Sequence, residues 1–357
     1  MKRIDHVTAD PNANGSGKAG FTGGSVSQQI PRTVVTPDWA NGIQEEIVGT
    51  IEAVNITLEN ANNAQLGQSI AVRLEQMALA NHIEADPAGS QCRAGAYGAG
   101  LYVMVGAGGY FFRSADLQTW YSSTAGFAGN LNAIHYDAAS ALWVVVGDNA
   151  EIMTSTDGST WTHRTKAGAY SFNFRGVTKA LGLWVIVGDG GEIQTSPNGI
   201  TWTHRATGSA YASIMSGIAF GNGYFVASGD HIVQRSPDGL TWTQFTHPEP
   251  SAVGPIAFGN GTFITISSAE VYTSPDGQTW TMSAMLGAVA VNSLIRGQNQ
   301  FIAMADSGNI LMSPNGFVWR KLPPLGFGSV NFYSPTSGPL GIAFSTDANT
   351  FRRSLLI

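Results

Sequence analysis

Four aspartates, Asp148, Asp189, Asp230 and Asp306, each follow an apolar run, open a short turn, and lie one or two repeat lengths apart. Carboxylates gathered on one rim in this way could accept hydrogen bonds from a hydroxyl-rich ligand or hold a hard cation such as calcium. The competing reading is that Asp simply favours tight turns. Connections elsewhere in the repeats carry Tyr170, Phe172, Tyr211 and His247, side chains of the kind that recognition loops present on a rigid scaffold. Packing between units accounts for them equally well, and both readings stay open. Catalytic chemistry has less to stand on. Glutamates in the repeat region are few (Glu151, Glu192, Glu249, Glu270), and none has an obvious carboxylate partner of the kind glycoside hydrolysis needs. Arg164 and Arg205 each follow Thr-His, and Arg113 and Arg235 each precede a repeated Ser, so the repeat itself fixes their positions. No Gly-x-x-x-x-Gly-Lys-Ser/Thr, His-Glu-x-x-His or Gly-x-Ser-x-Gly occurs. The expectation is a chain with no catalytic residues, no metal and no cofactor.

The elements that must position these residues are announced by a short motif that occurs six times. It reads Ser114-Ala-Asp116 to Trp120, Ser155-Thr-Asp157 to Trp161, Ser196-Pro-Asn198 to Trp202, Ser236-Pro-Asp238 to Trp242, Ser274-Pro-Asp276 to Trp280 and Ser313-Pro-Asn315 to Trp319. Successive serines lie 41, 41, 40, 38 and 39 residues apart, the period of a repeated structural unit. Within one period, Leu131–Tyr136, Leu142–Val146, Glu151–Ser155 and Thr160–Arg164 read as four strands, A to D, joined by turns rich in Gly, Asn and Asp. Four antiparallel strands joined by hairpins are one propeller blade. In the motif, Ser and Asp side chains can bond backbone amides of the C–D hairpin, Gly permits a positive φ, and Trp is expected to pack against the next blade. Two copies carry Asn, which keeps the acceptor oxygen and loses the charge, a swap that no catalytic acid would survive.

The expected fold is mainly β: a seven-bladed propeller of four-stranded antiparallel blades over residues 84–357. The last blade, with Gly341–Phe344 as strand B and Phe351–Ser354 as strand C, is expected to be closed by residues 84–90. Residues 1–83 form a separate region, extended and then α-helical. Thr36-Pro37-Asp38 signals a helix start, and Ile43, Ile47 and Ile51 recur on one face behind Trp39. A second stripe comprises Leu66, Ile70, Leu74 and Met77. Single apolar stripes with no globular domain to cover them are expected to pack with copies of themselves.

Composition narrows the function classes. Charged residues make up only 12% of the 357, the formal net charge is −6, and there are 44 glycines. Five lysines in an acidic chain argue against a nucleic-acid footprint. No apolar run approaches the roughly 20 residues of a membrane-spanning helix, and the N-terminus shows no secretory pattern. The single cysteine, Cys92, permits no internal disulfide.

Two resemblances follow from these motifs. The six-fold sentence resembles the Asp-box repeat of sialidase-type and related propellers, one residue shorter between Asp and Trp. Sialidases work with an arginine triad, a Tyr–Glu pair and an acid Asp, and the repeat-fixed arginines here do not suggest that set. The second resemblance rests on order: Arg3-Ile-Asp5, Gly17-Lys-Ala-Gly-Phe21, Gly23-Gly24, Thr33-Val-Val-Thr-Pro-Asp-Trp39, Asn41, Gln44-Glu-Glu46, Asn63-Ala-Gln-Leu66 and Ser69-Ile70. This series is similar to the N-terminal region of tailed-bacteriophage tail-fibre proteins. The resemblance implies a virion protein, homotrimeric, held to baseplate or tail-tip proteins by its N-terminus, with its C-terminal domain meeting a bacterial surface receptor, glycan or protein. It also implies synthesis in the host cytoplasm, no nucleic-acid partner and no membrane insertion. Two further readings are a structural baseplate component that binds no receptor, and a propeller glycosidase acting as a depolymerase.

Overall fold

The computed structural model describes residues 83–85, 91–168, 171–205, 214–249, 253–287, 290–297, 299–322, 331–346 and 350–354. All of them belong to one compact unit, Leu74–Ile357. Strand pairing builds six four-stranded blades, each from consecutive strands joined antiparallel. The first consists of Cys92–Gly98, Leu101–Gly106, Tyr110–Ser114 and Tyr121–Thr124. The remaining five open with the inner strands Leu131–Asp137, Phe174–Ala180, Met215–Gly221, Ile256–Gly259 and Val291–Arg296. One further four-stranded sheet is composite: Phe332–Gly338, Gly341–Thr346 and Thr350–Ser354 are followed outermost by Ile83–Ala85 from the other end of the chain.

The expected fold class is corrected accordingly. The motif-bearing blade is a six-fold unit, and among the described residues no contiguous seventh blade occurs. Residues 86–90 lie outside the described residues, and the composite sheet is closed by the pairs Ile83↔Arg352, Glu84↔Phe351 and Ala85↔Thr350. The physical reason is that the edge of Thr350–Ser354 would otherwise leave its N–H and C=O groups unpaired. No α-helix occurs among the described residues, which hold only strands and three short 3-10 turns. The expected N-terminal helices receive no support, and Trp39, Ile43, Ile47, Ile51, Leu66, Ile70, Leu74 and Met77 lie outside the described residues.

The motif is a hydrogen-bonding device. In each copy the serine Oγ accepts the N–H three residues on, for example Gly158 at 2.9 Å and Gly239 at 2.7 Å. The Asp or Asn Oδ1 accepts the next two amides, as Asp157 does from Ser159 and Thr160 (both 2.7 Å) and Asn198 from Ile200 (2.9 Å) and Thr201 (3.0 Å). Asn therefore does the same work as Asp. The two amide bonds outweigh burial and hold the Asp157 carboxyl down at about 2. The motif Trp packs against the preceding blade, which corrects the expected direction. Trp161 stacks on Phe111 with centroids 4.3 Å apart, and Trp202 joins Val144, Val146 and Ile152. A-B turns lock onto the following blade on this same face, where Asn222 Nδ2 donates to Gly261 O (2.9 Å) and Pro275 O (2.8 Å).

Candidate functional site

The B–C turns lie on the opposite face, where strands A begin. There the first residues of five inner strands share a β-bulge, between Cys92 and Ala94, Leu131 and Ala133, Phe174 and Gly176, Met215 and Gly217, and Val291 and Ser293. A bulge re-aims one side chain. Here it is a polar one: Arg93, Asn132, Arg175, Ser216 and Asn292 all line the central cavity, whose volume is about 910 Å³. The bulges are anchored from the B–C turns, since Asp148, Asp189, Asp230 and Asp306 donate their backbone N–H to the carbonyls of Asn130, Asn173, Ile214 and Ala290 at 2.8–3.1 Å.

The four aspartates expected to share a rim occupy equivalent turns, and their carboxylates are committed locally. Asp148 accepts Asn130 Nδ2 at 2.7 Å, Asn130 N at 3.2 Å and Asn132 Nδ2 at 2.9 Å. Burial alone would raise its carboxyl, but these bonds and the nearby Arg93 charge hold it below the ordinary range. Asp189 pairs with Arg175 through Nε and Nη2 and accepts Asn173 Nδ2 at 3.1 Å. The hydrogen bond that Arg175 donates to Asp189 raises the pKa of its guanidinium. Asp230 Oδ2 accepts Ile214 N at 3.3 Å, and Asp306 accepts Asn292 Nδ2 at 2.9 Å. Asn132 and Asn292 also reach Phe174 O and Phe332 O of the following inner strands at 3.0 and 3.2 Å. The acids thus fasten four strand starts and engage the side-chain donors of Asn132, Arg175 and Asn292, which line the cavity together with Arg93 and Ser216. Among the described residues, no three His, Cys, Asp or Glu side chains are arranged to hold a metal ion.

The loop residues divide. Phe172 is exposed beside the B–C turn of its own blade, where its ring faces Gly190. Tyr170 and Tyr211 lie outside the described residues. His247 is 2% exposed, so it is not a surface contact. Its Nδ1 accepts Glu249 N at 3.1 Å, which assigns the proton to Nε2, 3.4 Å from Thr265 Oγ1. Tyr272 and Trp280 enclose the ring, and burial pushes the imidazole down to about 4. His135, on the cavity wall and edge-on to Trp184, is also pushed down to about 4 by burial.

Two arrangements escaped sequence reasoning. One is the bulge ring, above all Arg93. Its signal is a polar residue between a bulky and a small one, as in Cys92-Arg93-Ala94 and Leu131-Asn132-Ala133. The other corrects the expectation that the glutamates lack carboxylate partners. Glu249 and Glu270, from neighbouring blades, meet at Tyr272, whose hydroxyl lies 3.0 and 2.6 Å from their Oε2 atoms. Burial, followed by the hydrogen bond the phenol donates to Glu270 and by the nearby Glu249 carboxylate, raises the Tyr272 phenol. The repeat-fixed arginines Arg164 and Arg205 bond Thr154 and Thr195 within their own blades at 2.7 and 2.8 Å.

Blades radiating from a polar-lined channel define a β-propeller, and comparison with solved structures agrees. The chain is similar to YCF48 bound to D1 peptide (TM-score 0.62, 15% identity, 77% of this chain and 95% of that one). It is also similar to a catalytically inactive virginiamycin B lyase from Staphylococcus aureus with quinupristin (0.67, 10%, 77% and 99%) and to the WD40 propeller domain of Doa1 (0.61, 14%, 77% and 95%). At such identities the likeness concerns the fold alone. No protein-family model matches the chain. Among curated proteins, it is 38% identical over 66 residues to the uncharacterized protein StfP of Escherichia coli K12, a match spanning 18% of this chain and 32% of that protein.

Proposed function

We propose that this is a bacteriophage tail-fibre protein that attaches to the tail through its N-terminal region and recognises the host surface through its propeller, without catalysis. The observation that carries the reading is the ordered series of tail-fibre-like motifs from Arg3-Ile-Asp5 to Ser69-Ile70. The propeller adds a rim of cavity-facing polar side chains on the face that bears the D–A and B–C connections. Assembly as a homotrimer would suit weak individual sites, because linked copies multiply avidity. The test is binding of labelled full-length protein to a panel of intact bacteria. Selective binding that blocks phage adsorption supports the reading; its absence on every adsorbing host favours a structural baseplate role.

One observation keeps a depolymerase as a second reading: the convergence of Glu249 and Glu270 on one phenol. Release of reducing ends from host polysaccharide, abolished in Glu270→Gln, would establish it.

A further inference from the structure

The composite sheet breaks the pattern of the other inner strands. Its register jumps from Tyr333↔Ser345 to Thr336↔Ala343, and Ser334, inside the jump, has a φ of 53°. Left-handed backbone at a residue other than Gly, Asn or Asp is strained, and such strain concentrates at binding sites. Ser334 is also 2% exposed, and its hydroxyl has no hydrogen-bond partner among the described residues. Ser293, on the inner strand of the adjoining blade, has a buried hydroxyl in the same condition. Both residues line the cavity, as do Tyr333 and Asn292. On the other side of the composite strand stands Arg93, exposed on the cavity wall. The three inner strands are immediate neighbours.

We propose that this arc of the channel mouth, Arg93, Tyr333, Ser334, Ser293 and Asn292, binds a neutral saccharide unit. The inference rests on the reading that the propeller recognises a host surface, and it names the ligand class. A sugar hydroxyl both donates and accepts, and the serine hydroxyls can do likewise; Arg93 offers up to five N–H donors. The half-buried Tyr333 ring supplies an apolar face for the C–H side of a pyranose. Charge separates the ligand classes. Arg93 and Arg175 share the rim with four carboxylates, Asp148, Asp189, Asp230 and Asp306, which disfavours an acidic ligand. Those carboxylates are already committed to Arg175 and to amides, which disfavours a cation. The cavity volume of about 910 Å³ lies within the roughly 300–1,000 Å³ of small-molecule sites.

The test uses the full-length protein, titrated calorimetrically with neutral monosaccharides and short neutral oligosaccharides and, in parallel, with uronic acids. The same sugars serve as competitors in the bacterial binding assay. A neutral sugar should bind and compete, and Arg93→Ala and Ser334→Gly should each weaken it at least tenfold. Glycine relieves the positive φ at 334, so Ser334→Gly should melt no lower than the parent and separates lost binding from misfolding. If the protein binds bacteria but no neutral sugar competes and both variants bind unchanged, the site is refuted while host recognition stands. Exclusive binding of uronic acids refutes the ligand class. If a neutral sugar binds at this arc but no host is bound, the site stands and the host reading fails. Binding to neither sugar nor bacteria overturns both.

Discussion

Three motif and turn glycines separate the cost of backbone conformation from the cost of packing. Gly182, Gly158 and Gly277 have φ of 75°, 69° and 73°, so alanine at any of them meets the same left-handed penalty, about 1 kcal/mol. Their surroundings differ. A Cβ at Gly182 would meet nothing within 4 Å, and one at Gly158 would lie 3.3 Å from Leu101 Cδ1, a flexible side-chain end. At Gly277 it would overlap Val226 Cγ2 on strand B of the preceding blade. Val226 is fully buried, and its branched Cβ leaves no easy rotamer to retreat to. Overpacking of that kind adds about 1–3 kcal/mol. Gly182→Ala and Gly158→Ala should therefore cost about 1 kcal/mol each and Gly277→Ala about 2–4 kcal/mol. With a urea m-value of about 3 kcal/mol/M, the last corresponds to a midpoint shift near 1 M against about 0.3 M for the others. Tryptophan fluorescence and circular dichroism followed on the same samples would read the midpoints and check that the transition is cooperative. Equal shifts in all three variants would refute the argument that the motif glycine is an inter-blade contact.

Asp157→Asn should leave stability at pH 7 nearly unchanged, because Asn198 and Asn315 already fill the role, whereas Asp157→Ala should cost about 1 kcal/mol, as the loss of a cap does. The folded carboxyl sits at about 2, so its contribution is present above the ordinary carboxylate range and fades as pH falls toward 2; urea midpoints at pH 7 and 3 should show Asp157→Asn without that loss. His247 titrates at about 4 when folded and near 6.5 when unfolded, so stability should be complete above about 6.5 and fall as the pH drops toward 4. A His247→Asn variant should have a flatter profile between pH 7.5 and 4.5, and an identical slope would count against the buried neutral imidazole. Removing residues 1–90 deletes Ile83–Ala85 and uncovers the edge of Thr350–Ser354, so residues 91–357 should melt lower and self-associate by light scattering, whereas residues 74–357 should not.

What was legible in the chain depended on how local its physics is. The motif could be read because Ser155, Asp157 and Gly158 satisfy one another within six residues, whatever surrounds them. The direction in which Trp161 and Trp202 pack was not, because the order of blades around a ring leaves no trace in a single repeat. That some strand must close the last sheet follows from the need to cover an edge, but a three-residue pairing of Ile83–Ala85 with residues 350–352 has no periodicity to mark it in the sequence.

The site divides along the same line. Asp148 and Asp189 were visible because a turn residue is recognisable from its neighbours; that their oxygens are taken by Asn130, Asn132 and Arg175 depends on a bulge that only strand pairing reveals. Arg93 escaped because its blade has Ala107 where four of the other five have aspartate, so nothing marked that repeat as chemically interesting. Yet the missing acid is what distinguishes it. Arg175 is held by Asp189 within its own blade, whereas Arg93 has no such carboxylate in its B–C turn and stands exposed beside the strained Ser334 strand. A repeat that departs from its siblings at a functional position is the place where a symmetric scaffold acquires an asymmetric site, and in this propeller the departures in the first blade and in the composite sheet adjoin.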